Sequence, residues 1–493
     1  MANLRMVRHR ATALVSVLAM LSACSGGGSG GNAGSTSAAA VAPVPVSTPT
    51  PTTTAGCSLR ERQDWAAAQL REWYLFPETL PASLDPTPFA SVSAYVDALT
   101  ATARAQRRDR FFTFLTSIAE ENAFINAGST AGFGFRLIAD STGQRIFIAE
   151  SFEGTAALGA GIDRGAEILA IGTTASDLRT VSAIIAAEGV NGVTNALGPS
   201  TAGTSRLLRI RDAGGTREVT IAKTDFALTP VSSRYGAQII NDGGRRVGYL
   251  NLRTFISTAD PALRQAFATF RTQGITNIII DFRYNGGGLV SIAELMGDLL
   301  GANRATSEVF SFTSFRSEKS ANNSTRLFRP QPESITPTRI AFIGTGSTAS
   351  ASELVTNAFI PYLRANVGLI GSNTFGKPVG QIGLDRAICD DRLRVVAFAT
   401  QNADRRGDYF DGLASVVQAS CRANDDISFP LGDPREASVR AALDYLAGNS
   451  CTAIAGSVGG GQGPQSASAT TAKSELLAPA APSPAQRDVP GMF

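Results

Sequence analysis

The chain has 493 residues, 43% of them apolar, and a formal net charge of +3. That length exceeds one ordinary core, so two or three domains are expected, and the near balance of charge gives no reason to expect a nucleic-acid partner. The single histidine, His9, lies in a leader-like start. Its removal leaves a chain without histidine, which excludes a Ser-His-Asp triad, a Cys-His pair and a histidine-ligated metal. A hydrolytic base must then be Lys, Asp, Glu or a chain terminus, and the sequence has only four lysines against forty arginines.

In chain order, Arg8-His9-Arg10 precedes an apolar run from Ala11 to Ala23. A basic start, a short apolar stretch and small residues read as a secretory signal over 1–23, too short for a permanent span. Leu21-Ser22-Ala23-Cys24 resembles the lipobox of bacterial lipoproteins, which implies acylation at Cys24 and a membrane held through that lipid. Serine after Cys24 resembles an outer-membrane sorting signal, so the expected place is the cell envelope, on the periplasmic face of the outer membrane. Residues 24–56 are rich in Gly, Ser, Ala, Thr and Pro and read as a flexible tether. The same composition over 455–493 predicts a low-complexity tail.

Residues 57–130 predict a small helical domain. Trp65, Leu70, Trp73 and Leu75 recur at helical spacing, and 91–107 is a second amphipathic stretch. Residues 131–230 turn to short β-like runs at 134–138, 145–149, 167–171, 207–211 and 218–222, with a helix over 177–188. Gly132-Phe133-Gly134-Phe135 precedes the first run. Its glycines allow a tight loop whose N–H groups converge on one point, a cradle for a carboxylate. With Gly161-Ile-Asp-Arg-Gly-Ala-Glu-Ile further on, the region resembles a PDZ domain, which binds peptide ends by strand addition. Residues 231–454 alternate strand and helix: strands at 247–252, 277–281, 339–343, 367–370 and 393–400, helices at 261–272, 289–300 and 351–363. That pattern predicts a layered α/β core. Four cysteines follow Cys24, with no CxxC pair, and an exported chain should pair them. Of the three possible pairings, Cys389–Cys421 with Cys57–Cys451 is favoured, since it closes a loop between strands and ties the two ends of the folded region.

Three segments carry candidate chemistry. Asp281-Phe-Arg-Tyr-Asn-Gly-Gly-Gly288 follows a buried strand and exposes N–H groups at a helix start, suited to an oxyanion hole or a phosphate cradle. Ser347-Thr-Ala-Ser350-Ala-Ser-Glu353 also joins strand to helix and projects a serine hydroxyl; the spacing of Ser350 and Glu353 equally fits a capping box. Thr374-Phe-Gly-Lys377 sets a lysine among apolar residues. Burial would lower its amine from about 10.4 towards the range of a general base. Arginine could not replace it, because it stays charged.

In this order, behind a PDZ-like region, the three motifs resemble the tail-specific or C-terminal processing serine peptidases over roughly 105–415. The resemblance implies a crotonase-like layered α/β core with no metal and no cofactor, acting on proteins or peptides with free C-termini. It places the nucleophile on Ser350 and the base on Lys377. The third polar residue falls on Glu353 or Gln381, and the oxyanion donors on the N–H groups of Ala351 and of Gly287 or its neighbour Gly286. Peptide ends would be held by Gly132, Phe133, Gly134 and Phe135. Two departures stand out: proline follows Lys377, and the interval from Ser350 to Lys377 is about two residues longer than usual, which leaves Ser352 as the alternative nucleophile. The competing readings are an inactive PDZ-containing peptide-binding lipoprotein and a crotonase-type acyl-CoA enzyme.

Overall fold

In a computed structural model of the protein, residues 54–455 and 475–493 are described. The expected signal, Cys24 and most of the tether lie outside these residues. Among the described residues no helix is long and apolar enough to cross a membrane.

The centre is a six-stranded sheet ordered Ala237–Asp242, Arg245–Asn251, Asn277–Asp281, Arg339–Gly344, Val367–Gly371 and Ala419–Arg422. Its first pair is antiparallel and the rest run parallel. Side chains of a strand alternate between faces, and the isoleucine run uses both. Ile278 and Ile280 join the core under the helices Ala259–Thr272, Val290–Leu299 and Ala351–Leu363. Ile279 joins the opposite core, under Ala437–Ala447. The result is the layered α/β arrangement that the alternating pattern predicts, and the strand and helix of each βα unit meet in a short turn at one end of the sheet.

A second, antiparallel sheet contains Phe114–Ser117, Val309–Phe315, Ser324–Leu327, Val379–Arg386 and Asp391–Gln401. The helices Leu59–Trp73 and Val92–Leu99 pack on it. Leu70, Tyr74, Val96 and Phe112 share one buried cluster with Val379, Leu393 and Val395. The region 57–130 therefore has no core of its own, and Phe114–Ser117 is itself a strand of this sheet, in register with Asp391–Arg394.

The region 131–230 forms most of a seven-stranded antiparallel sheet that includes Phe135–Ala139, Ile146–Ser151, Glu167–Gly172, Ser205–Asp212 and Gly215–Ala222. Its outermost strand is unexpected. Glu475–Leu476 pairs antiparallel with Ala139 and Ile138. The expected low-complexity tail over 455–493 is thus corrected for 475–493, where Leu477, Ala485, Val489, Met492 and Phe493 are all buried. Composition hid five apolar anchors among Ala and Pro.

The favoured cysteine pairing is also corrected. Cys57 bonds Cys389 and Cys421 bonds Cys451, with Cα–Cα distances of 5.6 and 5.4 Å. Arg62 on the first helix grips Asp391 through two hydrogen bonds of 2.6 and 2.5 Å, which brings Cys57 to the 389 turn rather than to Cys451. Cys451 follows the helix Ala437–Ala447 back to the edge strand holding Cys421. Peptide mapping under non-reducing conditions should recover 57–389 and 421–451. With a sequence separation of 30 residues, loss of the second bridge should lower stability by about 3–4 kcal/mol, measured as a shift in denaturation midpoint between wild type and the double serine variant.

Candidate active site

Two strand-to-helix turns and one strand-to-strand turn converge at the end of the central sheet. The turn after Asn277–Asp281 is anchored below by a buried charge cluster. Arg283 reaches Asp281 at 2.9 Å, Asp425 at 3.0 Å and Glu436 at 2.8 Å, and the Tyr249 hydroxyl donates to Asp281 at 2.8 Å. Asn285 holds the turn from within: its amide donates to the Leu252 carbonyl at 2.8 Å and its Oδ1 accepts the Gly287 N–H at 2.9 Å. The Gly287 N–H is therefore already bound, and the outward donor of this turn is its neighbour Gly286. Position 287 still requires glycine. Its φ is +118°, and a Cβ there would lie 2.7 Å from the Ser350 Cβ.

The second turn is stitched to the first. The Ala349 N–H donates to the Asn285 carbonyl at 3.0 Å, and the Thr348 hydroxyl donates to the Phe282 carbonyl at 2.8 Å. Ser350 has φ +55° and ψ −113°, a left-handed conformation that a non-glycine residue keeps only when its surroundings enforce it. The helix Ala351–Leu363 starts at the next residue, so the Ala351 N–H has no partner within the helix. Ser352 is fully buried, and its hydroxyl donates inward to the Asn285 carbonyl at 3.3 Å. Ser350 is consequently the serine that faces the cleft.

Glu353 fastens the third turn to the second. Its buried carboxylate accepts the N–H groups of Ser350 at 3.0 Å, Gly376 at 2.7 Å and Lys377 at 2.8 Å. Burial pushes this carboxyl above the usual range, opposed by hydrogen bonds from the Thr374 side chain and from these N–H groups. The Lys377 ammonium donates to Gln381 Oε1 at 2.6 Å, and the Gln381 amide donates to the Phe112 carbonyl. Gln381, not Glu353, is therefore the lysine's side-chain partner. Burial lowers the Lys377 amine to about 8, and the carboxylates of Asp488 and Asp109 oppose that shift. Ser350, Lys377, Gln381 and Gly286 line one cleft of about 520 Å³. Among the described residues no hydrogen bond joins the Ser350 hydroxyl to Lys377; such bonds commonly tighten only around a bound substrate.

At the predicted peptide cradle, Phe133 and Phe135 stack at 5.5 Å inside the core of the seven-stranded sheet, so their side chains are structural. Their backbone faces outward: the N–H groups of Gly134 and Phe135 donate to the Phe493 carbonyl at 2.9 and 3.4 Å. Gly134 has φ +84°, and a Cβ would overlap Thr155.

Two residues of the cleft escaped the sequence reading. Arg110 lies over the Phe375 ring at 4.0 Å and donates to the carbonyls of Phe375 and Gly376. Asp488 lines the cleft, and its main-chain carbonyl accepts the Gly286 N–H at 3.0 Å. Nothing local marks Arg110 among forty arginines. The stretch before Asp488 did carry a signal: Ser483-Pro-Ala-Gln486 is a capping box with proline at the first helical position, and it caps the helix Pro484–Asp488.

The fold and these three turns bring a serine and a half-buried lysine into one cleft of a layered α/β domain. Residues 246–403 match the model of peptidase family S41. The chain carries a peptidase family S41 domain, and the resemblance to the C-terminal processing serine peptidases holds. It is 30% identical to the C-terminal processing peptidase, chloroplastic, of Tetradesmus obliquus, over 52% of this chain and 54% of that protein. It is 26% identical to carboxyl-terminal-processing peptidase 3, chloroplastic, of Arabidopsis thaliana, over 70% of this chain and 63% of that one. The chain thus spans a little over half the length of these relatives. A solved Bacteroides fragilis structure assigned to the S41 proteases shares the fold, with a TM-score of 0.60 and 23% identity, covering 78% of this chain and 97% of that one.

The lysine makes a direct prediction. Titrated in the folded protein, for instance by pH-dependent labelling of the amine, Lys377 should lose its proton near pH 8. Because the folded chain binds fewer protons than the unfolded one between about 8 and the ordinary lysine value, this group's contribution to stability should rise with pH across that window. A Lys377 titration near 10.5 would contradict the burial argument.

Proposed function

We propose that this chain is a serine endopeptidase that cleaves near the C-termini of protein substrates. The observation that carries the reading is the single cleft in which Ser350, at an enforced left-handed turn, faces a lysine whose amine is lowered to about 8 and held by Gln381. In the proposed reaction the neutral Lys377 amine takes the proton of the Ser350 hydroxyl as its oxygen attacks the scissile carbonyl. The N–H groups of Ala351 and Gly286 receive the oxyanion. The lysine then returns the proton to the leaving amine, and the cycle repeats with water to free the acyl group from Ser350. Gln381 orients the lysine, and Glu353 positions both loops without touching the reacting atoms. The region 131–230 serves as the PDZ-like groove for substrate ends, a role supported by its glycine loop and by the edge of strand Phe135–Ala139. Export as a lipoprotein acylated at Cys24, at the periplasmic face of the outer membrane, completes the reading and rests on the sequence of the first 25 residues.

A serine-reactive covalent probe tests it. Wild type should be labelled at Ser350, and Ser350→Ala should not. Lys377→Ala and Lys377→Arg should each lose about 10⁴-fold in kcat/KM, as when one member of a catalytic unit is removed. The wild-type rate should rise with pH through about 8 as the Lys377 ammonium loses its proton. Near-normal turnover in Lys377→Arg would overturn the mechanism. An unlabelled, inactive wild type that still bound peptide ends would favour the peptide-binding lipoprotein instead.

A further inference from the structure

Residues 475–493 follow the path that a peptide substrate would need. The segment enters beside strand Phe135–Ala139, where Glu475–Leu476 adds an antiparallel strand and the Leu477 N–H donates to the Leu137 carbonyl at 3.1 Å. It then crosses to the cleft through the helix Pro484–Asp488. There the Asp488 carbonyl takes the Gly286 N–H at 3.0 Å, the donor proposed for the oxyanion. Ala485, Val489 and Met492 are buried against Phe124, Phe152, Leu228 and Ile256. Arg136 ties segment and site together, donating to the Pro490 carbonyl at 2.7 Å and to the Tyr284 carbonyl at 2.8 Å.

The last three residues lie in the groove as an added strand. The Leu137 N–H donates to the Gly491 carbonyl at 2.8 Å, and the Phe493 N–H donates to the Phe135 carbonyl at 2.9 Å. The Phe493 carbonyl meets the Gly132–Phe135 loop, and its ring joins the buried cluster of the seven-stranded sheet. The fit is close. A Cβ at Gly132 would lie 2.8 Å from the Phe493 carbonyl carbon, and one at Gly491, where φ is +83°, would lie 2.8 Å from Arg136 Cγ. Strand addition with a buried side chain beside the backbone cradle is how such grooves take peptides.

We infer that residues 475–493 are an intramolecular peptide ligand that fills the groove and the Gly286 donor together, so that incoming peptides that present an apolar aromatic residue to the groove compete with it for both. The catalytic consequence rests on the peptidase reading above; the competition does not. A tethered ligand competes at an effective concentration set by its link rather than by its bulk concentration. A free peptide therefore binds only in proportion to the fraction of time the groove stands open.

The test separates the two readings. A site-specific protease sequence is inserted between residues 460 and 470 of the full chain, and the folded protein is cut there and washed free of the released segment. Binding of a fluorescent peptide with the sequence of residues 484–493 and a free carboxylate is followed by anisotropy, in Ser350→Ala background to prevent turnover. The washed protein should bind at least tenfold more tightly than the uncut one, and a probe carrying Phe493→Asp should bind neither well. If the washed protein loses its fold by circular dichroism, Phe493→Asp in the uncut chain serves instead and should likewise raise probe affinity. Equal affinity in the cut or substituted and the intact protein, or equal binding of both probes, would overturn the inference. With Ser350 restored, release should also raise kcat/KM for a reporter peptide. A binding difference without any cleavage would sustain the competition and sink the peptidase reading.

Discussion

The site depends on one carboxylate. Glu353 accepts three main-chain N–H groups, one from the Ser350 turn and two from the Lys377 turn. Without it those donors would lose their partner, at about 1–3 kcal/mol for each that is buried, and the two loops would be joined at this level chiefly by the Phe375 N–H donating to the Thr348 carbonyl at 2.9 Å. Among the described residues no salt-bridge partner sits on this carboxylate; N–H groups and a hydroxyl compensate its burial. A neutral amide could accept part of the pattern but would add donors with nowhere to go. Glu353 therefore also explains how Ser350 keeps φ +55°, since the carboxylate pulls the Ser350 N–H into the turn.

The first turn uses a different device for the same end. Arg283 is fully buried among Asp281, Asp425 and Glu436, and Arg164 of the seven-stranded sheet domain bonds the same Asp425 at 2.7 Å. A buried arginine with several carboxylates has its donors satisfied in fixed directions. This network sets the height of the Asn285–Gly288 backbone relative to the sheet. Charge pairs anchor the turn from beneath, and neutral main-chain bonds from Asn285 stitch it to the serine turn above.

Much of this was legible in the sequence because it is local. The isoleucine strand Asn277–Asp281 and the helix Ala351–Leu363 were read with their observed bounds, since hydrophobic runs and glycine-marked ends determine them. The motif residues were legible for the same reason. What escaped were facts of sequence-distant packing. The pairing of Cys57 with Cys389 follows from Arg62 meeting Asp391, 329 residues away. The N-terminal helices were read as a separate domain because their apolar stripe was visible and the sheet that covers it was not. The choice between Gly286 and Gly287 turned on where the Asn285 side chain points, which no spacing encodes. The segment 475–493 was read from its average composition, although Val489, Met492 and Phe493 carry the docking.

That segment also bears on the electrostatics of the lysine. Burial drives the Lys377 amine towards its neutral form, while Asp488 favours the ammonium. Burial raises the Asp488 carboxyl to about 6, and Lys377 pulls in the other direction. Near neutral pH the docked carboxyl is therefore largely ionised and faces a lysine that it helps to keep charged. A charged lysine cannot take a proton from Ser350. On the proposed mechanism the docked segment opposes the chemistry twice: its Asp488 carbonyl occupies the Gly286 donor, and its Asp488 carboxylate favours the ammonium form of Lys377. On that same reading, a substrate that displaced it without bringing a carboxylate to that place would restore both at once, because the same step frees the donor and removes the charge that favours the ammonium.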